Sequence, residues 1–170
     1  MKSRQAPLSW RCCGTTPIRA WCCAREAQDA GTRLGLNIQS VGVHDVATFE
    51  IAFATIRGGH AAALLTLVDP FTRANRKQIV DLAAQLRLPS IYESREFPDA
   101  GGLISYGPNL ATVLRRSATY MDKIFKGAKP GDLPVEQPTV FELIVNMKAA
   151  KALGITIPQS VLLRADEVIQ

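Results

Sequence analysis

Histidine is scarce in this chain: only His44 and His60 occur among 170 residues. One follows a predicted strand and the other precedes one, so both read as solvated loop residues. A serine or cysteine nucleophile is therefore left without a well-placed base. Phosphate-binding signatures are missing as well, with neither a Gly-x-x-x-x-Gly-Lys-Ser/Thr loop nor a Gly-x-Gly-x-x-Gly fingerprint. Gly102-Leu103-Ile104-Ser105-Tyr106-Gly107 is not a nucleophile elbow, because Leu103 stands where the strained turn requires glycine. No run approaches the ~20 apolar residues of a membrane helix. These absences argue against an enzyme.

Acidic residues are missing from the first 25 positions, which carry Lys2, Arg4, Arg11, Arg19 and Arg25. The net charge of +5 is thus confined there, and residues 26–170 balance 15 basic against 15 acidic side chains. A basic face with interleaved aromatics is absent, so no nucleic-acid partner is expected. The four cysteines form two adjacent pairs, Cys12-Cys13 and Cys22-Cys23. Neighbouring cysteines point apart, whereas zinc ligands are spaced two to four residues. No metal and no cofactor is expected. Pro7, Gly14 and Pro17 interrupt residues 1–24, and their longest apolar run, Ala20 to Ala24, is too short for a secretory signal. Residues 1–24 are expected to form a disordered leader without an export signal.

What is present is an alternation of helix and strand. The apolar run Ala61 to Val68 suits a strand buried on both faces, and Asp69-Pro70 ends it. Ligands gather at the carboxyl ends of strands in open α/β sheets, so Asp69 is either a binding group or the cap of the next helix. Ala27, Ala30 and Leu34 predict a helix face stopped by Gly35, and Leu36 to Val43 a half-buried strand. Asp45 is a plausible cap for a helix with the stripe Phe49, Ala52, Phe53 and Ile56, ended by Gly58-Gly59. Ile79, Leu82, Ala83 and Leu86 predict one helix after Pro70, followed by a short strand at Ser90-Ile91-Tyr92. Glu93, Glu96 and Asp99 cluster in a loop that reads as a carboxylate site or, more simply, as a solvated acidic loop. Leu103 to Tyr106 is a strand, and a helix from Asn109 buries Leu110, Val113, Leu114, Ser117, Ala118, Met121 and Phe125. An extended connection leads to a strand at Phe141 to Asn146 and a helix from Met147 to Leu153, ended by Gly154. The fold class is α/β, a parallel sheet flanked by helices with right-handed crossovers. Tyr92, Ser105 and Tyr106, near strand ends, would join Asp69 in a small-molecule cleft with aromatic walls and polar anchors.

Longer motifs add to this. Arg95-Glu96-Phe97, the run Gly101 to Leu110, Ala118 to Ile124, Lys126 to Pro130, Asp132 to Thr139 and Lys151 to Pro158 resemble the substrate-binding proteins of ABC transporters of the tryptophan/tyrosine type. The resemblance covers about residues 25–170. It implies a type I periplasmic-binding-protein fold, in which two α/β lobes trap a ligand between them. Residues 25–100 with 139–170 would form the second lobe, and 101–138 the strand, helix and linker that return to a first lobe missing here. Asp69, Tyr92, Arg95, Ser105 and Tyr106 would then face the cleft. The implied function is capture of a small, amino-acid-like solute outside the cytoplasmic membrane and delivery to an ABC permease. Residues 1–24 depart from the family, which suggests a frameshift or wrong start and a truncated binding protein. A chain made as written would stay in the cytoplasm. The alternative is a dimeric α/β sensory or interaction module self-associating through the uncovered inter-lobe face.

Overall fold

The computed structural model describes residues 7–11 and 17–170, with side chains from residue 25 onward. Seven strands form one sheet in the order β2-β1-β3-β4-β5-β6-β7. They are β1 (Pro7–Arg11), β2 (Asn37–Ser40), β3 (Ala63–Thr66), β4 (Ser90–Tyr92), β5 (Ile104–Pro108), β6 (Phe141–Asn146) and β7 (Glu167–Ile169). Every neighbouring pair is parallel except β5 and β6, which run antiparallel. The first five strands therefore point their carboxyl ends at one edge. The register of Gly107 with Glu142 brings the start of β6 to that same edge. Helices α1 (Pro17–Arg33), α2 (Thr48–Gly58), α3 (Pro70–Ala74), α4 (Arg76–Gln85), α5 (Glu96–Asp99), α6 (Leu110–Phe125), α7 (Met147–Leu153) and α8 (Gln159–Leu162) fill the connections. No described helix is long and apolar enough to cross a membrane.

The α/β architecture agrees with the sequence pattern, and the main core is made of the expected stripes. Phe49, Ala52, Phe53 and Ile56 of α2 are all buried, with Ile79, Val80 and Ala83 of α4, Leu64 of β3, Tyr92 of β4 and Phe97 of α5. Burying one such large side chain contributes roughly 1.5–3 kcal/mol. A second cluster joins Leu103, Val145, Ala150 and Ile157 beneath α7 and α8. Asp45 does cap α2: its Oδ1 accepts from Thr48 N at 2.8 Å. Gly58 and Gly59 close that helix, but the left-handed residue is His60, with φ +50°. Both histidines are exposed.

Several expectations need correction. Pro7–Arg11, assigned to a disordered leader, is a strand between β2 and β3, and α1 begins at Pro17. The alternation Pro7 to Arg11 is too short to stand out locally, and pairing on both sides defines it. The rest of that leader, residues 1–6 and 12–16, lies outside the described residues, as do the side chains of all four cysteines. On α1 only Ala27 of the expected face is buried, while Leu34 is 72% exposed. The helix after Pro70 is two helices broken at Asn75, whose Nδ2 donates to Phe71 O at 2.9 Å. The strand β5, expected to leave for another lobe, lies within the same sheet between β4 and β6. Leu103 anchors it: its carbonyl accepts from Asn146 N at 2.8 Å and its side chain is buried. Finally, α6 buries nothing. Leu114 is 69% exposed, Met121 55% and Phe125 82%.

Candidate functional site

A cavity of about 640 Å³ opens at the carboxyl edge of β3, β4 and β5. Three segments build it. After β3 the chain runs through Val68, Asp69 and Pro70 into α3. After β4 it runs through Glu93, Ser94 and Arg95 into α5. The end of β5 supplies Ser105 and Gly107, and leads to Asn109 at the start of α6. Glu142 comes from the opposite direction on β6, as the register requires.

Of the five residues singled out by sequence, Asp69, Arg95 and Ser105 line this cavity. Asp69 is also the helix cap that the alternative reading offered, its Oδ1 accepting from Phe71 N at 2.7 Å. Ser105 is buried. Arg95 lies at the rim, where its guanidinium donates to Glu167 and, at 3.5 Å, to Asp99. The two tyrosines are not in the cavity. Tyr92 is fully buried in the core and stacks on Phe97 with centroids 4.5 Å apart. Burial pushes its hydroxyl up to about 12 against the opposing pull of the Ser90 side chain, and no hydrogen bond of good geometry reaches that oxygen. Tyr106 points away on the alternate face of β5, 58% exposed, and stacks on Phe141. Alternation along β4 and β5 decides which side chains reach the edge, and strand-end position alone does not show it.

The sequence reading sets Glu93 aside with Glu96 and Asp99 as part of a solvated loop, and the structure separates it from them. Glu93 follows β4 immediately, closer to its strand than Asp69 is to β3, so the strand-end rule applies to it at least equally. Its Oε2 accepts from the buried Thr66 hydroxyl at 2.7 Å, while Oε1 is shut away from water without a partner. Burial raises its pKa above the ordinary carboxylate range, against the opposing pull of the Thr66 hydrogen bond and the Arg73 charge. The supposed acidic loop is thus divided. Glu93 turns inward, whereas Glu96 takes the Arg73 guanidinium through two hydrogen bonds, Nε to Oε2 at 2.8 Å and Nη2 to Oε1. Those bonds hold Glu96 below its usual range. Asn109 caps α6 by accepting from Thr112 N at 2.8 Å and donates its Nδ2 to Glu142 Oε1. Among the described residues no group of three His, Cys, Asp or Glu is arranged to hold a metal ion.

Gly107 sets how closely these walls meet. A Cβ at that position would lie 1.8 Å from the backbone oxygen of Glu93. Only a residue without a side chain lets the end of β5 close against the turn that presents Glu93.

Over residues 20–169 the sequence matches the family described as ABC transporter substrate binding protein. The chain belongs to that family. Among solved structures, the chain resembles a conserved domain protein from Vibrio cholerae, with TM-score 0.86 and 22% identity, covering 94% of this chain and 54% of that one. It is similar also to the ABC domain in complex with L-Trp from Streptococcus pneumonia, with TM-score 0.87 and 22% identity, covering 98% and 56%. A ligand-free, open substrate binding protein with adhesive properties from Clostridium difficile gives TM-score 0.70 and 17% identity, covering 98% and 55%. At these identities the likeness is one of fold. The chain spans a little over half the length of each of these structures. Comparison with curated proteins gave no match.

Proposed function

We propose that this chain supplies one wall of a solute-binding cleft and serves in uptake of a small, amino-acid-like compound. The observation that carries the reading is the cavity at the carboxyl edge of three parallel strands, an apolar lining set with a few charged and polar groups, in a chain of the substrate-binding family. Mixed polar anchors in a concave site are the usual equipment of small-molecule recognition. Asp69, Arg95 and Ser105 act as anchors; Tyr92 and Tyr106 support the wall rather than touch the solute. The opposite wall is a second α/β lobe, of which the α6 segment forms part. That assignment accounts for the apolar stripe of α6, which covers nothing in the described residues. A solute touching both lobes only when they close shifts the population to the closed form. The role is capture, not catalysis. It places the working protein outside the cytoplasmic membrane, handing its solute to an ABC permease. The complex of a related fold with L-Trp makes aromatic amino acids the first solutes to try.

Because one wall alone makes half the contacts, this chain by itself binds weakly. Titration with the twenty amino acids, followed by amide NMR, is expected to move the signals of Asp69, Ser94 and Ser105 only at millimolar solute. No movement with any solute would refute the cleft. Sub-micromolar affinity by calorimetry would refute the need for a second wall.

The bare stripe of α6 also favours a second reading, a dimeric module that covers α6 with another copy. Sedimentation separates the two: a defined, ordered dimer supports the module, and a monomer removes it.

A further inference from the structure

We propose that Asn109 and Glu142 are positioning residues that set the direction in which an arm, residues 109–140, leaves the sheet. This rests on the reading above that the α6 segment belongs to the opposite wall of the cleft, and it names what holds that segment in place. The ladder between β5 and β6 ends at the pair Pro108 and Phe141. One step further, Asn109 N donates to Val140 O at 3.1 Å. The side chain of Asn109 works in two directions. Its Oδ1 accepts from Thr112 N at 2.8 Å and so caps α6, while its Nδ2 donates to Glu142 Oε1 on β6. A single side chain thus ties the outgoing helix to the returning strand, and both residues line the cavity.

Beyond that pivot the arm is held to itself. The chain leaves along α6, turns at Gly127, whose φ of +100° favours glycine, and passes through a turn of 3-10 helix at Pro130–Asp132. It then returns antiparallel beside the helix. Tyr120 Oη donates to Pro134 O at 2.7 Å, and Arg116 pairs with Glu136. Four helical residues from Arg116 to Tyr120 span ~6 Å, and two extended residues from Pro134 to Glu136 span ~6.6 Å, so the two contacts fall in step. Helix and returning segment therefore form one body. No residue of α6 is buried, so packing against the sheet does not fix its direction. The Asn109–Glu142 bond is charge-assisted and sits at the base of the arm, where any rotation is carried along the ~24 Å of α6.

Residual dipolar couplings of backbone amides in the whole chain test this without any solute. In the parent, couplings from α6 and from strands β3 to β6 are expected to fit one alignment tensor. N109S keeps a good helix cap, but its hydroxyl is too short to reach Glu142. E142A removes the acceptor, and E142Q keeps one in its place. The expected result is that N109S and E142A lose the common tensor while Cα shifts show α6 intact, and that E142Q retains it. Couplings from residues 133–140 follow α6 in every variant. Loss of a cap alone would fray the helix without turning it. A single tensor in N109S and E142A, a parent that already needs two, or E142Q behaving like E142A overturns the assignment. So does a parting of residues 133–140 from α6. Failure here leaves the cleft reading to its own solute titration, and failure of that titration leaves these couplings unchanged.

Discussion

Replacing Gly107 with alanine tests the link between the sheet and the site. The new methyl group would sit 1.8 Å from the backbone oxygen of Glu93 and 2.8 Å from its carbonyl carbon. Both atoms belong to backbone, so no side chain can swing aside. The ends of β4 and β5 must part by about 1 Å, and overpacking of that kind destabilises by about 1–3 kcal/mol. Because the shift falls on the residue after Tyr92, the stacked pair Tyr92–Phe97 and the Thr66–Glu93 bond move with it. Gly58 serves as the control. It lies in α2 with nothing within 4 Å of its would-be Cβ. Alanine there gains about 0.5–1 kcal/mol of helix preference. Urea unfolding followed by far-UV circular dichroism measures both variants, and amide spectra report the cavity. The expected pattern is a lower midpoint with shifted Thr66 and Glu93 signals for G107A, and an equal or higher midpoint for G58A. A G107A midpoint within error of the parent would refute the close approach, and with it the argument that glycine shapes this wall.

Other substitutions probe neighbouring features. In the folded chain the Glu93 pKa lies above its ordinary value of 4.5, so the stability it contributes is present below that pH and is lost as pH climbs through the raised value. Stability of the parent relative to E93Q should therefore decline from about pH 4 upward; a flat difference in urea midpoints across pH 4–8 would contradict the burial of this carboxyl. Asn146 caps α7 by accepting from Ala149 N at 3.1 Å and donates to Pro98 O at 3.0 Å. N146A should lose about 2–4 kcal/mol, from the missing cap and a stranded buried carbonyl, readable as a lower urea midpoint. Tyr92→Phe removes a buried hydroxyl that no hydrogen bond of good geometry reaches and should leave stability within about 0.5 kcal/mol or raise it; a loss above about 2 kcal/mol would reveal a hydrogen bond to that oxygen.

Local pattern carried far in this chain where an element meets the core along a whole face. The α2 stripe needs only four apolar residues at helical spacing, and all four are buried. The helix from Met147 to Leu153 is bounded by signals within it, a capping Asn146 before and the left-handed Gly154 after. Asp69-Pro70 ends one segment and opens the next whatever surrounds it, because proline's missing donor and the aspartate cap act over two residues. For the same reason the family's ordered motifs from Gly101 to Pro158 were readable as text.

Other features depended on neighbours distant in the chain. The place of β1 between β2 and β3 comes from pairing with residues some thirty and fifty-five positions away. The stripe of α6 was legible as amphipathic, but periodicity records that a helix has an apolar face and not what covers it. At the site, Asp69 announced itself by position, whereas Glu93 looked like one acid in a polar loop. The sheet turned it inward by bringing Thr66 of β3 beneath it and Gly107 of β5 against its backbone. Glu142 reaches the cavity only because β6 runs antiparallel to β5. Helix caps, stripes and stops involve residues within about one or two turns of each other, so the sequence alone determines them. Which carboxylates share a floor depends on strand order and register, which are set by contacts across the whole fold and exist only once it has formed.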